Sequence, residues 1–142
     1  MKIFEVTLRG GEALTHKDFD EIWDYSNKKP FLSTNIITNG MLLNSEKVKQ
    51  MLYNPNSKII VSLDGLDFIN SKYRDPAQYS LVMDWLPKFL PESQNQLVIL
   101  STLYKEDYDE MLNFSKFLAS MGVKYHHITT LKRMGGSEFK KR

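Results

Sequence analysis

The run KIIVSLDG, Lys58 to Gly65, decides the fold. Ile59, Ile60, Val61 and Leu63 leave almost no alternation of apolar and polar residues. A strand with one wet face alternates; a strand buried on both faces, as in a parallel sheet, does not. Asp-Gly then stops the run with a turn pair. LVILSTL, Leu97 to Leu103, reads the same way. Three weaker β-rich runs complete the set: Ile3 to Leu8, Ser33 to Thr38 and Lys124 to Thr130.

Helical spacing fills the gaps between these runs. Phe19, Ile22 and Trp23 share a face, with Thr15 and Asp18 in loose capping-box spacing ahead of them. Asn44 or Ser45 caps a second helix carrying Val48, Met51 and Leu52, ended by Asn54-Pro55-Asn56. A third helix holds Tyr79, Leu81, Val82, Trp85 and Leu86, with Pro87 as a kink and Pro91 as its close. A fourth carries Met111, Leu112, Phe114, Ser115, Leu118 and Met121, and Gly122 fits a C-terminal cap. The order β-α-β-α-β-α-β-α-β predicts right-handed crossovers and an α/β fold with a parallel sheet of about five strands. An open doubly wound sheet and an arc of a barrel both satisfy it. Either places ligands at the carboxyl ends of the strands.

The chain has 142 residues, enough for one domain with a real core. No linker divides it; the expected organisation is a domain over 1–134 and a basic, flexible tail over 135–142. The absence of cysteine excludes disulfides, thiolate metal sites and cysteine-held iron–sulfur clusters in this chain. The balance of 19 basic and 17 acidic side chains gives no reason to expect nucleic acid. No apolar run approaches a membrane span and no signal-peptide pattern opens the sequence, so a cytoplasmic location is expected.

The predicted strand ends carry the polar chemistry. They are Gly10-Gly11-Glu12, Thr38-Asn39-Gly40, and Ser62 followed by Asp64-Gly65. Ser101, Thr102 and Lys105 end the fourth strand, and Thr129, Thr130 and Lys132 the fifth. Glycine lets a ligand approach the backbone, and small polar neighbours direct hydrogen bonds to it. Each glycine by itself is equally a turn residue; their recurrence at one end of successive parallel strands points to a site.

GGEALTHKDFDEI, IITNG, VSLDG with Arg74 after it, and LSTLYKEDYDEM, in that order, resemble the radical S-adenosylmethionine (radical SAM) enzymes. The likeness is to the branch that matures peptides and sulfatases, and it runs from about Glu5 to Met134. It implies an incomplete (β/α)6 barrel. It also implies that Gly10, Gly11 and Glu12 hold the amino group of the SAM methionine moiety, a fitting task for a carboxylate. Ser62 and Arg74 stand where the family contacts the methionine carboxylate or ribose. Thr38, Asn39 and Asp64, from the neighbouring strand ends, complete the candidate cofactor-binding set; no catalytic or metal-ligating residue is assigned.

The sequence also departs from the family pattern. The family's first strand leads to a CxxxCxxC loop whose thiolates hold a [4Fe–4S] cluster, and the chain opens on what resembles the second strand. Ala13 replaces the usual proline after Gly-Gly-Glu. The resemblance thus implies a truncated relative or a fragment with weak SAM affinity and no [4Fe–4S] cluster of its own. The parent chemistry would be radical modification of a peptide or small metabolite. Residues 2–8 would then form an exposed parallel edge, and edges of this kind pair with other chains. A homo-oligomer or a partner chain is expected there, and the alternative function is a non-catalytic scaffold that pairs through this edge.

Three rival constellations are weaker. Glu12 and Asp64 as an acid–base pair would need a proximity that sequence does not give. His126 and His127 are adjacent in a strand, so they face opposite ways and cannot join His16 around one metal. A phosphate at the helix start after Gly10-Gly11 would meet the negative charge of Glu12. Trp23, Trp85 and Phe114 are read as core, packed on the sheet.

Overall fold

A computed structural model describes residues 4–29, 33–52, 55–93 and 96–130. The strands are β1 (Glu5–Leu8), β2 (Ser33–Thr38), β3 (Lys58–Ser62), β4 (Leu97–Leu103) and β5 (Tyr125–Thr130). They form one sheet in the order β1-β2-β3-β4-β5, and every pair is parallel. Ile36 pairs with Ile59, and Ile59 with Leu97, so the apolar centres of the middle strands lie side by side. The helices are α1 (Phe19–Asn27), α2 (Ser45–Met51), α3 (Asp67–Tyr73), α4 (Gln78–Ser93) and α5 (Tyr108–Ser120). This is the α/β alternation of an incomplete (β/α) barrel.

Side-chain alternation divides the sheet into two faces. Ile36, Ile59, Val61, Leu63, Leu97 and Ile99 join Trp23, Val48, Met51, Trp85, Leu86, Phe114 and Leu118 in one buried cluster with the helices. Trp85, Phe114 and Trp23 are thus core residues. The opposite face is an open concavity of about 460 Å³ lined by Asn35, Ile37, Lys58, Ile60, Val98 and His127, among others. The unbroken run Ile59-Ile60-Val61 implies burial on both faces; Ile60 is in fact only half-buried and Lys58 exposed. No described element closes over the concave side, so that face stays partly wet.

Element boundaries follow local chemistry. Asn44 caps α2 by accepting the Lys47 N–H on its Oδ1 at 2.9 Å. The Thr15–Asp18 capping box does not form. Thr15 sits in a short 3₁₀ turn, Ala13–Thr15, and Asp18 makes no side-chain cap bond to α1. Helix α4 runs to Ser93 and contains both Pro87 and Pro91. Each proline costs a hydrogen bond, about 3 kcal/mol in a helix interior. Both are exposed, and the face formed by Val82, Trp85, Leu86, Phe89 and Leu90 is buried, which holds the helix past them.

Helix α3 lies between Gly65 and Tyr79, where the spacing of apolar residues assigns no element. Its buried residues are Ile69 and Asn70, while Phe68 is 84% exposed. One apolar contact leaves no period to detect. Ile22, placed by spacing on the buried face of α1, is 40% exposed. It faces a groove along β1, where no described element packs. The tail 135–142, with the rest of 131–142, lies outside the described residues, as do the first three residues of the sequence. No described helix is long and apolar enough to cross a membrane.

Candidate functional site

The carboxyl ends of β1 to β4 meet at one rim of the sheet, and Glu12 is its first anchor. The Glu12 side chain turns back over the 3₁₀ turn, where its Oε1 accepts the Leu14 N–H at 3.2 Å. The same oxygen accepts the Thr38 hydroxyl at 2.7 Å, and Oε2 accepts the Asn39 N–H at 2.8 Å. The carboxylate therefore ties the end of β1 to the end of β2. A carboxylate has about four acceptor positions, and these three donors leave one on Oε2.

Thr38 and Asn39 are themselves held. Thr38 Oγ1 accepts the Gly40 N–H at 3.0 Å, and Asn39 Oδ1 accepts the Met41 N–H at 2.9 Å. The second anchor is Asp64, whose side chain is 2% exposed. Arg74 Nε donates to its Oδ2 at 2.7 Å and Arg74 Nη2 to its Oδ1 at 3.2 Å. The Thr102 N–H donates to the same Oδ1 at 2.7 Å. A buried carboxylate needs this full set of partners, since an unpaired charge there is costly. Asp64 thus binds the end of β3 to β4 through the Thr102 N–H, and to the end of α3 through its ion pair with Arg74. Arg74 keeps one guanidinium nitrogen, Nη1, outside these contacts.

Ser62 ends β3 in the alternation that puts Lys58 and Ile60 on the concave face. It is half-buried. Gly10 and Gly11 are exposed, and a Cβ on either would meet nothing within 4 Å. Gly40 and Gly65 differ. A Cβ on Gly40 would lie 2.9 Å from Val82 Cγ2, and one on Gly65 would lie 2.8 Å from Ile69 Cβ. Their lack of a side chain serves helix packing, so the shared pattern of strand-end glycines has two different causes.

Further along the rim, Tyr73 and Tyr104 stack with ring centroids 3.6 Å apart. Tyr73 Oη donates to Asp107 Oδ2 at 2.5 Å, and Lys72 Nζ reaches Asp107 Oδ1 at 3.1 Å. Burial, then the bond to Asp107, raises the Tyr73 phenol above its ordinary range. Burial, then the charge of Asp64, raises Tyr104. Tyr73 belongs to no motif, and Tyr104 lies within the LSTLYKEDYDEM stretch without a role assigned to it there.

On the helix side of the sheet, His126 lies between two serines. Its Nε2 is 2.8 Å from Ser101 Oγ, and its Nδ1 is 2.9 Å from Ser115 Oγ. Burial, then the neighbouring His127, lowers its pKa. His127 lines the concave face, opposite His126. Among the described residues no group of three or more His, Cys, Asp or Glu could hold a metal ion. With no cysteine in the chain, its residues do not fit a thiolate-held iron–sulfur cluster.

No protein-family model matches the chain. Two curated proteins of Bacillus subtilis (strain 168) are similar to it. The sporulation killing factor maturation protein SkfB is 25% identical over 122 residues, which is 85% of this chain and 29% of SkfB. The antilisterial bacteriocin subtilosin biosynthesis protein AlbA is 38% identical over 68 residues, which is 48% of this chain and 14% of AlbA. The chain therefore spans less than a third of either relative. Among solved structures, anSMEcpe with bound AdoMet matches with a TM-score of 0.75 at 18% identity, over 96% of this chain and 38% of that one. Streptococcus suis SuiB bound to precursor peptide SuiA matches with a TM-score of 0.71 at 19% identity, over 89% of this chain and 28% of that one. The likeness to radical SAM enzymes carried by the strand-end motifs thus extends to the described fold, which this chain shares with anSMEcpe and SuiB.

Proposed function

We propose that this chain supplies the SAM-holding part of a barrel that acts on peptides, with the cluster chemistry provided by thiolates outside it. The observation that carries the reading is the Glu12 carboxylate, fixed by three donors and left with one acceptor position beside the open Gly10-Gly11 backbone. An ammonium group satisfies that position by a charge-assisted hydrogen bond. Gly10 and Gly11 admit the methionine backbone, and the Ser62 hydroxyl and Arg74 Nη1, without a partner among the described residues, meet its carboxylate or the ribose. Thr38, Asn39 and Asp64 act on the ligand indirectly, by holding Glu12 and Arg74 in place. SAM when bound beside a reduced cluster is a source of a carbon radical; this chain's residues bind and orient the nucleoside.

Peptide as substrate class rests on the names of the relatives, SkfB, AlbA and peptide-bound SuiB. Affinity of the chain alone for SAM is weak, because in this reading a cluster outside the chain completes the grip on the methionine end. Calorimetry with the pure chain, Glu12→Gln and Ser62→Ala tests this. Weak binding that falls further in both variants supports it; tight cluster-free binding, or none at millimolar SAM, contradicts it.

A second reading is a scaffold that pairs through its edge. β1 stands at one end of the sheet, and a groove of about 680 Å³ along it is lined by Leu8, Arg9, Ala13, Phe19 and Ile22, among others. Apolar side chains beside a strand edge that is unpaired among the described residues favour a second copy or a partner chain. Sedimentation equilibrium decides it: a concentration-dependent oligomer is expected, and a strict monomer at high concentration refutes it.

A further inference from the structure

Gln78 and Asn70 belong to none of the strand-end motifs, yet both are buried amides at the centre of the rim. Gln78 is 1% exposed and Asn70 0%. Gln78 Nε2 donates to the carbonyls of Asn39 and Ser62, each at 2.7 Å. Its Oε1 accepts Asn70 Nδ2 at 3.1 Å, and Asn70 Oδ1 accepts the Asp64 N–H at 2.9 Å. Two carbonyls at one end and an N–H at the other fix the direction of both amides. Flipping either one would set donor against donor or acceptor against acceptor.

We infer that Gln78, held by Asn70, is a positioning residue for the strand-end site. It makes one hydrogen-bonded line from Glu12 through Asn39, Gln78, Asn70 and Asp64 to Arg74 and the Thr102 N–H. The line spans the ends of β1 to β4. At Asn39 both flanking peptide groups are held, the N–H by Glu12 and the C=O by Gln78. This determines where the remaining acceptor position of Glu12 points. A buried glutamine gives up rotamer freedom and must keep every partner, so a leucine or methionine would serve packing alone more cheaply. The inference rests on the proposed SAM reading for what the site holds, and on geometry for the positioning.

The test is amide hydrogen exchange by NMR on the wild-type chain and on Gln78→Met, with SAM titrated into both. In the wild type the Gln78 side-chain amide protons exchange slowly, together with the Asn39 N–H. In Gln78→Met, exchange at Asn39 and Asp64 speeds up about tenfold more than at the core amides of Ile36 and Ile99, which follow global unfolding. Equal acceleration at all four, or none, means an ordinary structural residue and overturns the inference. If Gln78→Met fails to fold, rapid wild-type exchange of the Gln78 amide still overturns it and slow exchange supports it. A wild type that binds no SAM refutes the proposed ligand, while the exchange pattern decides the positioning role independently.

Discussion

Replacing Glu12 by glutamine removes one charge and changes the shape hardly at all, so its cost isolates the carboxylate's role as a brace. In the wild type one oxygen accepts Thr38 and Leu14, and the other accepts Asn39. A glutamine offers one oxygen and one NH2. With its oxygen toward Asn39, the NH2 faces the Leu14 N–H, donor against donor. With its oxygen toward Thr38 and Leu14, the NH2 faces the Asn39 N–H. One backbone donor loses its partner in either orientation. Hydrogen bonds to a charged group are worth about 1.5–3 kcal/mol. The side chain is half-buried, so a loss of about 2 kcal/mol is expected. In a chain of this size that lowers Tm by roughly 5 °C or more. Urea denaturation with a common m-value reads the change directly. Stability within 0.5 kcal/mol of wild type would refute the brace, whatever the variant did to ligand binding.

Four other outcomes follow from particular contacts. Gly40 has φ +77°, and an added Cβ would stand 2.9 Å from Val82 and 3.0 Å from Val61, so Gly40→Ala should lose about 3 kcal/mol by chemical denaturation. Gly10→Ala meets open space and should change stability by less than about 0.5 kcal/mol while weakening SAM binding in calorimetry. Thr34 is fully buried and its hydroxyl has no partner among the described residues; Thr34→Val should raise stability by about 1 kcal/mol, read from the urea midpoint. His126 is held below its ordinary value of 6.5, first by burial and then by His127. The unfolded chain therefore takes up the proton first, and stability falls as pH drops through about 6.5, levelling off only below the folded-state value. Urea midpoints at pH 7.5 and 5.5 should differ less in His126→Gln than in the wild type.

The sheet was legible because β-branched residues crowd its middle strands; β2 and β4 have the bounds that their runs imply. Helix α3 was not, because it buries an asparagine and one isoleucine where periodicity needs several apolar residues. Pro91 does not close α4, since a deeply packed face outweighs two lost bonds near its end. Of the site, Glu12, Thr38 and Asn39 come together in one carboxylate-centred cluster, and Asp64 and Arg74 in one ion pair. The carboxylate of Asp64 is spent on Arg74 and Thr102, a fact invisible in a string where Arg74 sits ten positions on. Gln78 had a signal. It precedes Val82, Trp85 and Leu86 at helical spacing, which puts it on the buried face. A polar residue in that position has to find partners, and its partners are the strand ends.

We propose that the β1–β3 ends form a methionine-moiety cradle. The most direct test is to titrate SAM into isotopically labelled chain and map the shifted resonances. Saturable shifts are expected at Gly10, Gly11, Asn39 and Ser62 and at the Glu12 side-chain carboxyl, all lost in Glu12→Gln. Shifts confined to the lower concave face around Lys58 and Tyr125, or none at millimolar SAM, would contradict it.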